Sequence, residues 1–270
     1  MKKAQDNSAF AERSYAVQAL VRALNILEAL AEGGKSAYTL TQLSRQLHFP
    51  VSTVHRLIAN LVRQGFVEEA PKAHRFRLTF KVLRMGLQVL DRLDFRVTAR
   101  PLLQALSHKT QETVRLAILQ GTRAIFIERF DSPQPAGLDA PFGGVMPLHC
   151  TGVGKILLAY QGRAFLNQVA RAPGLPRFTR RTITRSAPLR KELEKIREQG
   201  YALDQEEAVA GLRCVAGPVF DQTGRVVAAF SVTGPSSRLT PERLPEIASL
   251  VRATSREISF RLGYRGQMGR

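Results

Sequence analysis

The sequence predicts an α+β protein with two domains, and three observations support this prediction. The 270 residues suit about two domains, at roughly 150 residues each. In the N-terminal third, apolar residues recur with helical spacing and then give way to two short segments that alternate every second residue. In the remaining two thirds, strand-like and helix-like segments alternate. We therefore expect a helical domain with a hairpin, followed by an α/β domain.

The composition indicates a basic, globular protein. Forty Lys and Arg residues against 22 Asp and Glu give a net charge of +18, which favours nucleic acid first, then anionic membranes and acidic small molecules. A generally basic, soluble surface is the alternative explanation. The apolar fraction of 44% excludes wholesale disorder. Two cysteines, no apolar run of membrane length and no secretory signal predict a cytoplasmic protein without a membrane partner.

Three amphipathic helices are predicted after a polar tail, residues 1–13, which we expect to be disordered. Thr39 suits the N-cap of the second helix. Pro50 and Gly65 flank the third in the usual order for a helix start and a helix end. The three helices are predicted from about Tyr15 to the Gly33-Gly34 pair, from Thr39 to Leu47, and from Val51 to about Gln64.

The period of apolar residues then drops to two. Phe66–Glu69 and Arg75–Leu78 are predicted to be short strands of a hairpin, joined by residues 70–74. Three helices followed by a hairpin predict a winged helix-turn-helix domain over residues 14–78. The second and third helices form the turn motif, and the hairpin forms the wing.

The third helix has the pattern of a helix that binds the DNA major groove. If Val54, Leu57 and Leu61 are buried, the residues around its N-terminal end are exposed, where they can contact base edges. Basic residues at the wing tip can bind phosphate or the minor groove. We predict DNA contacts from Val51, Ser52, Thr53, His55, Arg56, Lys72, His74 and Arg75. Alternatively, Ser52 and Thr53 only cap the helix and Arg56 is a solvated charge.

A further amphipathic helix is predicted from about Thr79 to Asp91, within a linker at residues 79–94. Residues 95–270 are predicted to form the second domain. Its predicted elements are a helix to about Lys109, strands near 112–120 and 123–130, a helix from Gly152, a loop near 173–188, a charged helix at 189–199, strands near 201–204, 213–221 and 225–233, and a helix over about 241–262.

A series of motifs, in order along residues 15–264, resembles the IclR-type bacterial transcriptional regulators. They are Arg22–Glu28 in the first helix, Ser52–Leu57 in the third, Phe76–Thr79 after the wing, Pro147–Lys155, Glu198–Glu207 and Gly211–Val219. The resemblance implies a winged-helix DNA-binding domain, a linker helix and a C-terminal effector domain similar to the GAF fold. It also implies a homodimer, or a homotetramer built from dimers, that most often acts as a repressor.

The second domain contains a segment suited to binding a small anion. Gly152 and Gly154 open a helix, and the exposed N–H groups of a helix start attract a carboxylate or a phosphate. The segment is not a nucleotide-binding P-loop, because His149 stands where that motif needs glycine and Ile156 where it needs Ser or Thr. We therefore predict a small carboxylate as ligand.

The resemblance implies which residues line the effector pocket. Ser231 and Thr233 are two residues apart on a predicted strand, so their hydroxyls face the same side. A plain core thiol is the alternative for Cys214, and a turn residue is the alternative for Asp204. The residues that match the pocket are Leu138, Met146, Gly152, Val153, Asp204, Leu212, Cys214, Ser231 and Thr233.

We predict neither catalysis nor a metal or cofactor. His149 and Cys150 are adjacent, so on an extended chain they point to opposite faces and make a poor nucleophile–base pair. The five histidines show no metal-ligand spacing. A basic run is predicted to be a solvated face, with contacts to DNA or acidic partners as the alternative: Arg177, Arg180, Arg181, Arg185, Arg190, Lys191, Lys195 and Arg197.

The sequence therefore predicts a regulator that binds a double-stranded DNA operator and responds to a small organic acid. A repressor that responds to a sugar acid or a 2-oxo acid is our first expectation. A regulator of the same class that senses an aromatic acid is one alternative. A basic protein that binds nucleic acid without sequence preference and has no effector is the other.

Overall fold

The structure is a computed structural model that describes residues 17–32, 37–71, 74–134 and 143–266. The chain divides into two compact units, the first ending at Arg92 and the second beginning at Leu93. The predicted tail, residues 1–13, lies outside the described residues, as do the site candidates Lys72 and Leu138.

The first unit contains four helices and three short strands among its described residues. A core of apolar side chains from α1, α2, α3 and the small sheet holds it together, with Ile26, Leu43 and Val54 fully buried. In chain order the elements are α1 (Gln18–Glu32), β1 (Tyr38–Thr39), α2 (Leu40–Leu47), α3 (Val51–Arg63), β2 (Val67–Glu69), β3 (Arg75–Leu78) and α4 (Phe80–Leu90).

Local capping fixes the start of α2. The Thr39 side chain accepts a hydrogen bond from the Gln42 N–H at 3.2 Å, and the Gln42 side chain accepts one from the Thr39 N–H at 2.9 Å. This reciprocal capping box satisfies two N–H groups that a helix start leaves free. The expectation that Thr39 caps α2 is confirmed.

The wing is a three-stranded antiparallel sheet in the order β1-β3-β2. Tyr38 pairs with Phe76, and Val67 pairs with Leu78. The sequence predicts only the hairpin of β2 and β3, and β1 was missed. A strand of two residues is too short to show an alternating pattern, so only its pairing in the folded chain reveals it.

The second unit is a six-stranded antiparallel sheet between two layers of helices. The strand order is β6-β5-β4-β9-β8-β7. Its elements are α5 (Asp94–Thr110), β4 (Thr113–Gln120), β5 (Arg123–Phe130), β6 (Val145–Pro147), α6 (Gly152–Ala159), α7 (Arg163–Arg171), α8 (Ser186–Gln199), β7 (Ala202–Gln205), β8 (Leu212–Phe220), β9 (Val226–Pro235) and α9 (Leu244–Arg261).

The two helix layers pack on opposite faces of this sheet. On one face, α6, α7 and α8 cover small side chains of the strands, including Ala216 and Ala229. On the other face, α9 is tied to β8, because the Ser259 hydroxyl accepts a hydrogen bond from the Phe220 N–H at 3.0 Å.

Two elements of this unit, β6 and α7, were not predicted. The predicted loop near 173–188 also ends earlier, since α8 begins at Ser186 and Pro188 is accommodated in its first turn.

Candidate DNA-binding surface and ligand cavity

Helix α3 presents the predicted contact residues on an exposed face. Val54, Leu57, Ile58 and Leu61 are buried in the core of the first unit, as the periodicity predicts. The opposite side of the helix carries exposed Val51, Ser52, His55 and Arg56, with Thr53 half-buried. Among the described residues, the Arg56 guanidinium has no ion-pair or hydrogen-bond partner. It can therefore donate to a guanine edge or to a phosphate.

Two of the three basic residues predicted at the wing tip, His74 and Arg75, lie within the described chain. The His74 side chain is 93% exposed and its Nδ1 lies 3.4 Å from a Glu69 carboxylate oxygen. Arg75 is exposed, and its Nη1 donates to the Ala37 carbonyl at 3.4 Å. These positions leave both side chains accessible to a phosphate backbone.

In the second unit, the structure places eight of the nine predicted pocket residues around a single cavity of about 80 Å³. The ninth, Leu138, lies outside the described residues. The eight are Met146, Gly152, Val153, Asp204, Leu212, Cys214, Ser231 and Thr233. Residues that are far apart in the chain thus converge between the start of α6 and the sheet.

Strand register explains this convergence. Asp204 pairs with Cys214 and Cys214 with Thr233, so these three side chains form a row across β7, β8 and β9. Two residues along, Ala216 pairs with Ser231, which forms the next row. Residues two apart on a strand face the same side, so both rows face the cavity, and Asp204, Cys214, Thr233 and Ser231 line it.

The start of α6 forms the opposite wall, and glycine allows it to lie close to the sheet. A Cβ on Gly152 would lie 3.1 Å from the Ala216 Cβ and 3.4 Å from the Cys214 Cβ. The Thr151 hydroxyl caps the helix by accepting from the Gly154 N–H at 3.1 Å. Within the described chain, the N–H groups of Gly152 and Val153 have no acceptor. They can therefore donate to an anion in the cavity.

Asp204 and a chain of hydroxyls supply the polar groups of the cavity. The Asp204 carboxylate accepts from the Glu207 N–H at 2.7 Å, and burial raises the pKa of Asp204 to about 7. The Ser231 and Thr233 hydroxyls lie 3.3 Å apart, and Thr233 donates to the Cys214 sulfur at 3.2 Å. An acid with a hydroxyl or oxo group can be bound by this set of donors and acceptors.

A fully buried ion pair lies beside the cavity, and sequence reasoning missed it. The Lys155 Nζ of α6 lies 2.5 Å from a Glu207 carboxylate oxygen and 3.2 Å from one of Glu192. Burial by itself would lower the pKa of Lys155, but the two carboxylates raise this pKa above its usual value. The pair joins α6 to the segment that follows β7, and β7 itself carries Asp204.

Neither cysteine has the surroundings of a nucleophile. Burial raises the pKa of Cys150 and of Cys214 to about 12, so both are thiols at neutral pH. The His149 ring donates from Nε2 to the Pro176 carbonyl at 2.9 Å, and burial lowers the pKa of His149. His149 is thus engaged away from Cys150, which is a buried thiol.

Five further residues line the cavity that the sequence did not indicate: Arg115, Phe126, Thr151, Ala208 and Val209. One signal was available for Arg115, which interrupts the apolar β4 with a charge and is only 5% exposed.

Arg190 and Arg197 of the basic run line a different cavity of about 520 Å³, which contains none of the predicted site residues. No described helix is long and apolar enough to cross a membrane.

Comparison with known proteins shows which family shares this organisation. The family description "Bacterial transcriptional regulator IclR C-terminal" matches residues 87–260, and "IclR helix-turn-helix domain" matches residues 19–71. The HTH-type transcriptional regulator BhcR of Paracoccus denitrificans is 36% identical over 259 residues, 96% of this chain and 92% of the relative. The HTH-type transcriptional repressor AllR of Escherichia coli K12 is 37% identical over 246 residues, 91% of this chain and 90% of the relative.

A solved structure extends the comparison to the fold. An IclR homologue from Microbacterium hydrocarbonoxydans, complexed with 4-hydroxybenzoate, has a TM-score of 0.79 and 25% identity, and covers 90% of this chain and 98% of that one. The predicted α+β class, with an N-terminal helix-turn-helix and a C-terminal α/β domain, is confirmed. The relatives are regulators rather than enzymes, as predicted. The chain belongs to the IclR family of bacterial DNA-binding transcriptional regulators.

Proposed function

We propose that this regulator is a repressor that binds an operator through α3 and the wing, and releases it when a short-chain organic acid occupies the cavity of the second unit. The observation that carries the proposal is the convergence of eight predicted residues on that cavity. The relative AllR is a transcriptional repressor, which supports repression rather than activation.

The exposed face of α3 supports sequence-specific binding. Ser52, His55 and Arg56 offer donors and acceptors at the helix start, where a recognition helix contacts base edges. His74 and Arg75 at the wing tip suit contacts with the sugar-phosphate backbone. The net charge of +18 adds a general attraction to DNA.

Exposed apolar side chains on α1 and α4 support a homodimer, which can assemble further into a tetramer. On α1, Leu20, Val21 and Leu24 are each 42–58% exposed and lie on one helix face. On α4, Phe80 is 84% and Leu83 53% exposed, again on one face. Exposed apolar helix faces of this kind are typical of protein–protein interfaces. Two copies would place two recognition helices on half-sites one helical turn apart, about 34–36 Å.

The cavity favours a small acid. A volume of about 80 Å³ is well below the roughly 300–1,000 Å³ of sites that hold drug-sized ligands. We therefore place sugar-acid fragments and 2-oxo acids first. An aromatic acid is the second candidate, because the Microbacterium homologue is complexed with 4-hydroxybenzoate.

Fluorescence anisotropy of the full-length protein on its own upstream intergenic DNA tests the proposal. Near physiological salt, we expect binding to survive an excess of nonspecific competitor DNA and to be released by a short 2-oxo or hydroxy acid. Release by 4-hydroxybenzoate alone would assign the aromatic class instead. Binding that the competitor removes would contradict an operator-specific regulator and favour a nonspecific basic protein.

Two substitutions test the cavity itself. Ser231→Ala combined with Thr233→Val removes two hydroxyls from the cavity floor, so we expect at least a tenfold weaker response to the acid and unchanged operator binding. Ser236→Ala combined with Thr240→Val makes the same chemical change outside the cavity lining and serves as the control. A normal response in the first variant would place the effector elsewhere.

A further inference from the structure

A second cavity lies in the same unit, where the end of α6 meets α7 and α8. Its volume is about 520 Å³, within the roughly 300–1,000 Å³ of small-molecule sites. Leu158 near the end of α6 lines it, whereas Gly152 at the start of α6 lines the cavity proposed for the effector. At about 1.5 Å per residue, these two positions lie about 9 Å apart along the helix. The two cavities have no described lining residue in common.

Three arginines surround this second cavity, which we call the arginine cavity. Arg163 comes from α7, and Arg190 and Arg197 come from α8. The two on α8 are seven residues apart, which places them on one face of the helix. Glu194 is the acidic residue in the described lining. Three guanidinium groups and one carboxylate leave the lining with a net charge of +2.

Two of these arginines lack a counter-charge. Among the described residues, neither Arg163 nor Arg190 makes an ion pair, and the buried Nε atom of Arg190 has no hydrogen-bond partner. Elsewhere in the unit, Arg238 lies 2.7 Å from the buried Glu112 carboxylate. Guanidinium groups that line one cavity without paired carboxylates repel each other, and a bound anion would offset this repulsion.

The helix ends at the cavity distinguish a structural arginine from the other two. Arg197 has a structural role, because its Nη1 donates to the Ala159 carbonyl at the end of α6 at 2.6 Å. Arg163 is the first residue of α7, and a helix start carries a partial positive charge that favours an anion rather than a cation. Arg163 therefore adds to the attraction for an anion without stabilising its own helix.

This arrangement favours a phosphate ester over a monocarboxylate. A phosphate monoester carries a charge of about −1.5 to −2 at pH 7, which matches the +2 of the lining. Guanidinium groups bind phosphate oxygens through paired N–H donors. The volume leaves room for a sugar-sized body, and Gln161 and Glu194 can bind its hydroxyl groups.

We propose that the arginine cavity is a second ligand site, which binds a sugar phosphate or a phosphate ester of similar size, with Arg163 and Arg190 holding the phosphate. The site lies at the opposite end of α6 from the cavity proposed for the effector. It does not depend on the proposed function, since a different set of residues forms it.

Isothermal titration of the full-length protein without DNA tests the ligand class. Glucose 6-phosphate is compared with glucose, which lacks the phosphate, and with inorganic phosphate, which lacks the sugar. We expect glucose 6-phosphate to bind at least about tenfold tighter than glucose, and more tightly than inorganic phosphate. Ser231→Ala combined with Thr233→Val changes only the other cavity and should leave this affinity unchanged.

Substitutions of the lining test the position of the phosphate. Arg163→Gln combined with Arg190→Gln should weaken glucose 6-phosphate binding by at least about tenfold. The matched control, Arg171→Gln combined with Lys191→Gln, removes two charges from the same helices at exposed positions outside the lining. It should change the affinity by less than about twofold, because exposed charges at a distance are screened. The unfolding midpoint shows whether each variant is folded.

Glu194→Gln provides a test in the opposite direction. It removes the carboxylate that repels the phosphate, so the affinity for glucose 6-phosphate should rise about twofold to fivefold. Glu194 is exposed and makes no ion pair within the described chain, so this variant should fold even if the double arginine variant does not. A weaker affinity in Glu194→Gln would contradict the electrostatic account of the site.

Three further results would overturn the inference: equal affinity for glucose 6-phosphate and glucose, equal weakening in the arginine variant and its control, or loss of binding in the Ser231 and Thr233 variant. Displacement of glucose 6-phosphate by nonspecific duplex DNA would also overturn it, and would assign the arginines to the DNA backbone. Binding of glucose 6-phosphate by a protein that responds to no short acid supports the second site and contradicts only the proposed effector function.

Discussion

In the first unit, the described side chains proposed to bind DNA lie on the exposed face of one helix and at the wing tip, whereas in the second unit those proposed to bind the effector surround an interior cavity. The contrast extends to charge. Among the described residues, every buried acidic or basic side chain belongs to the second unit: Glu112, Arg115, Glu128, Lys155, Asp204 and Glu207, together with His149.

This difference separates binding from stability in one unit and couples them in the other. Exposed residues of α3 such as Arg56 contribute little to the core, so changing them should alter DNA binding alone. Around the cavity, the same groups that would bind a ligand also support packing and buried ion pairs. A substitution there should change stability as well as ligand affinity.

The sharpest test compares one ion pair from each unit. Lys155→Met leaves Glu207 buried without its partner, and the Glu207 Oε2 already has no hydrogen bond within the described chain. We expect a loss of about 3–5 kcal/mol in the free energy of unfolding, measured by chemical denaturation. Arg77→Ala, which breaks the exposed pair with Glu68, should cost no more than about 1 kcal/mol.

A double variant checks the cause of that loss. The double variant combines Lys155→Met with Glu207→Leu. Because it leaves no unpaired carboxylate of Glu207 in the interior, it should recover at least half of the lost stability. Equal losses for Lys155→Met and Arg77→Ala would show that burial does not separate the two units in this way.

A pair of glycines gives the next largest contrast. A Cβ on Gly154 would lie 2.6 Å from the Pro147 carbonyl oxygen and 2.7 Å from the Leu148 Cα. Since backbone must move, Gly154→Ala should cost about 1–3 kcal/mol of stability. Gly86 in α4 has open space at its Cβ position, so Gly86→Ala should stabilise the helix by about 0.5–1 kcal/mol. A thermal melt in which Gly154→Ala is harmless would contradict the close packing of α6.

On the exposed side, Arg56→Ala should weaken operator binding by about 1–3 kcal/mol per recognition helix, enough to abolish it at working concentrations. The unfolding midpoint should not change, because the Arg56 side chain is exposed. Arg177→Ala removes an exposed charge from the other unit and is the control for net charge. Anisotropy showing unchanged affinity for Arg56→Ala would contradict the role of α3.

The smallest expected effect is a pH dependence of effector binding. Burial raises the pKa of Asp204 to about 7, so its carboxyl is neutral below this pH and negative above it. An anionic acid favours the neutral form, and its affinity should fall about threefold to tenfold from pH 6 to pH 8. Asp204→Asn keeps an acceptor for the Glu207 N–H and should flatten this dependence. Because the pKa of Asp204 is higher in the folded protein than in the unfolded chain, its neutral carboxyl also favours folding. This contribution to stability is complete below the pKa of the unfolded chain and is lost as the pH rises through about 7.

Periodicity and capping were sufficient to predict the four described helices and the hairpin of the first unit. The buried positions Val54, Leu57 and Leu61 and the cap at Thr39 follow from local sequence, because side-chain spacing on a helix depends only on its geometry. The two-residue strand β1 and the three-residue strand β6 were missed, since their hydrogen bonds come from strands distant in the chain.

Sequence by itself determined the family, the order of the main elements, the exposed face of α3 and eight residues that line the cavity. Tertiary structure alone decided that Arg115 and Phe126 belong to the same cavity and that Lys155 is paired with Glu207 and Glu192. The physical reason is distance along the chain. Helix faces follow from neighbouring residues, whereas a cavity wall and a buried ion pair depend on strand register and on how closely α6 approaches the sheet.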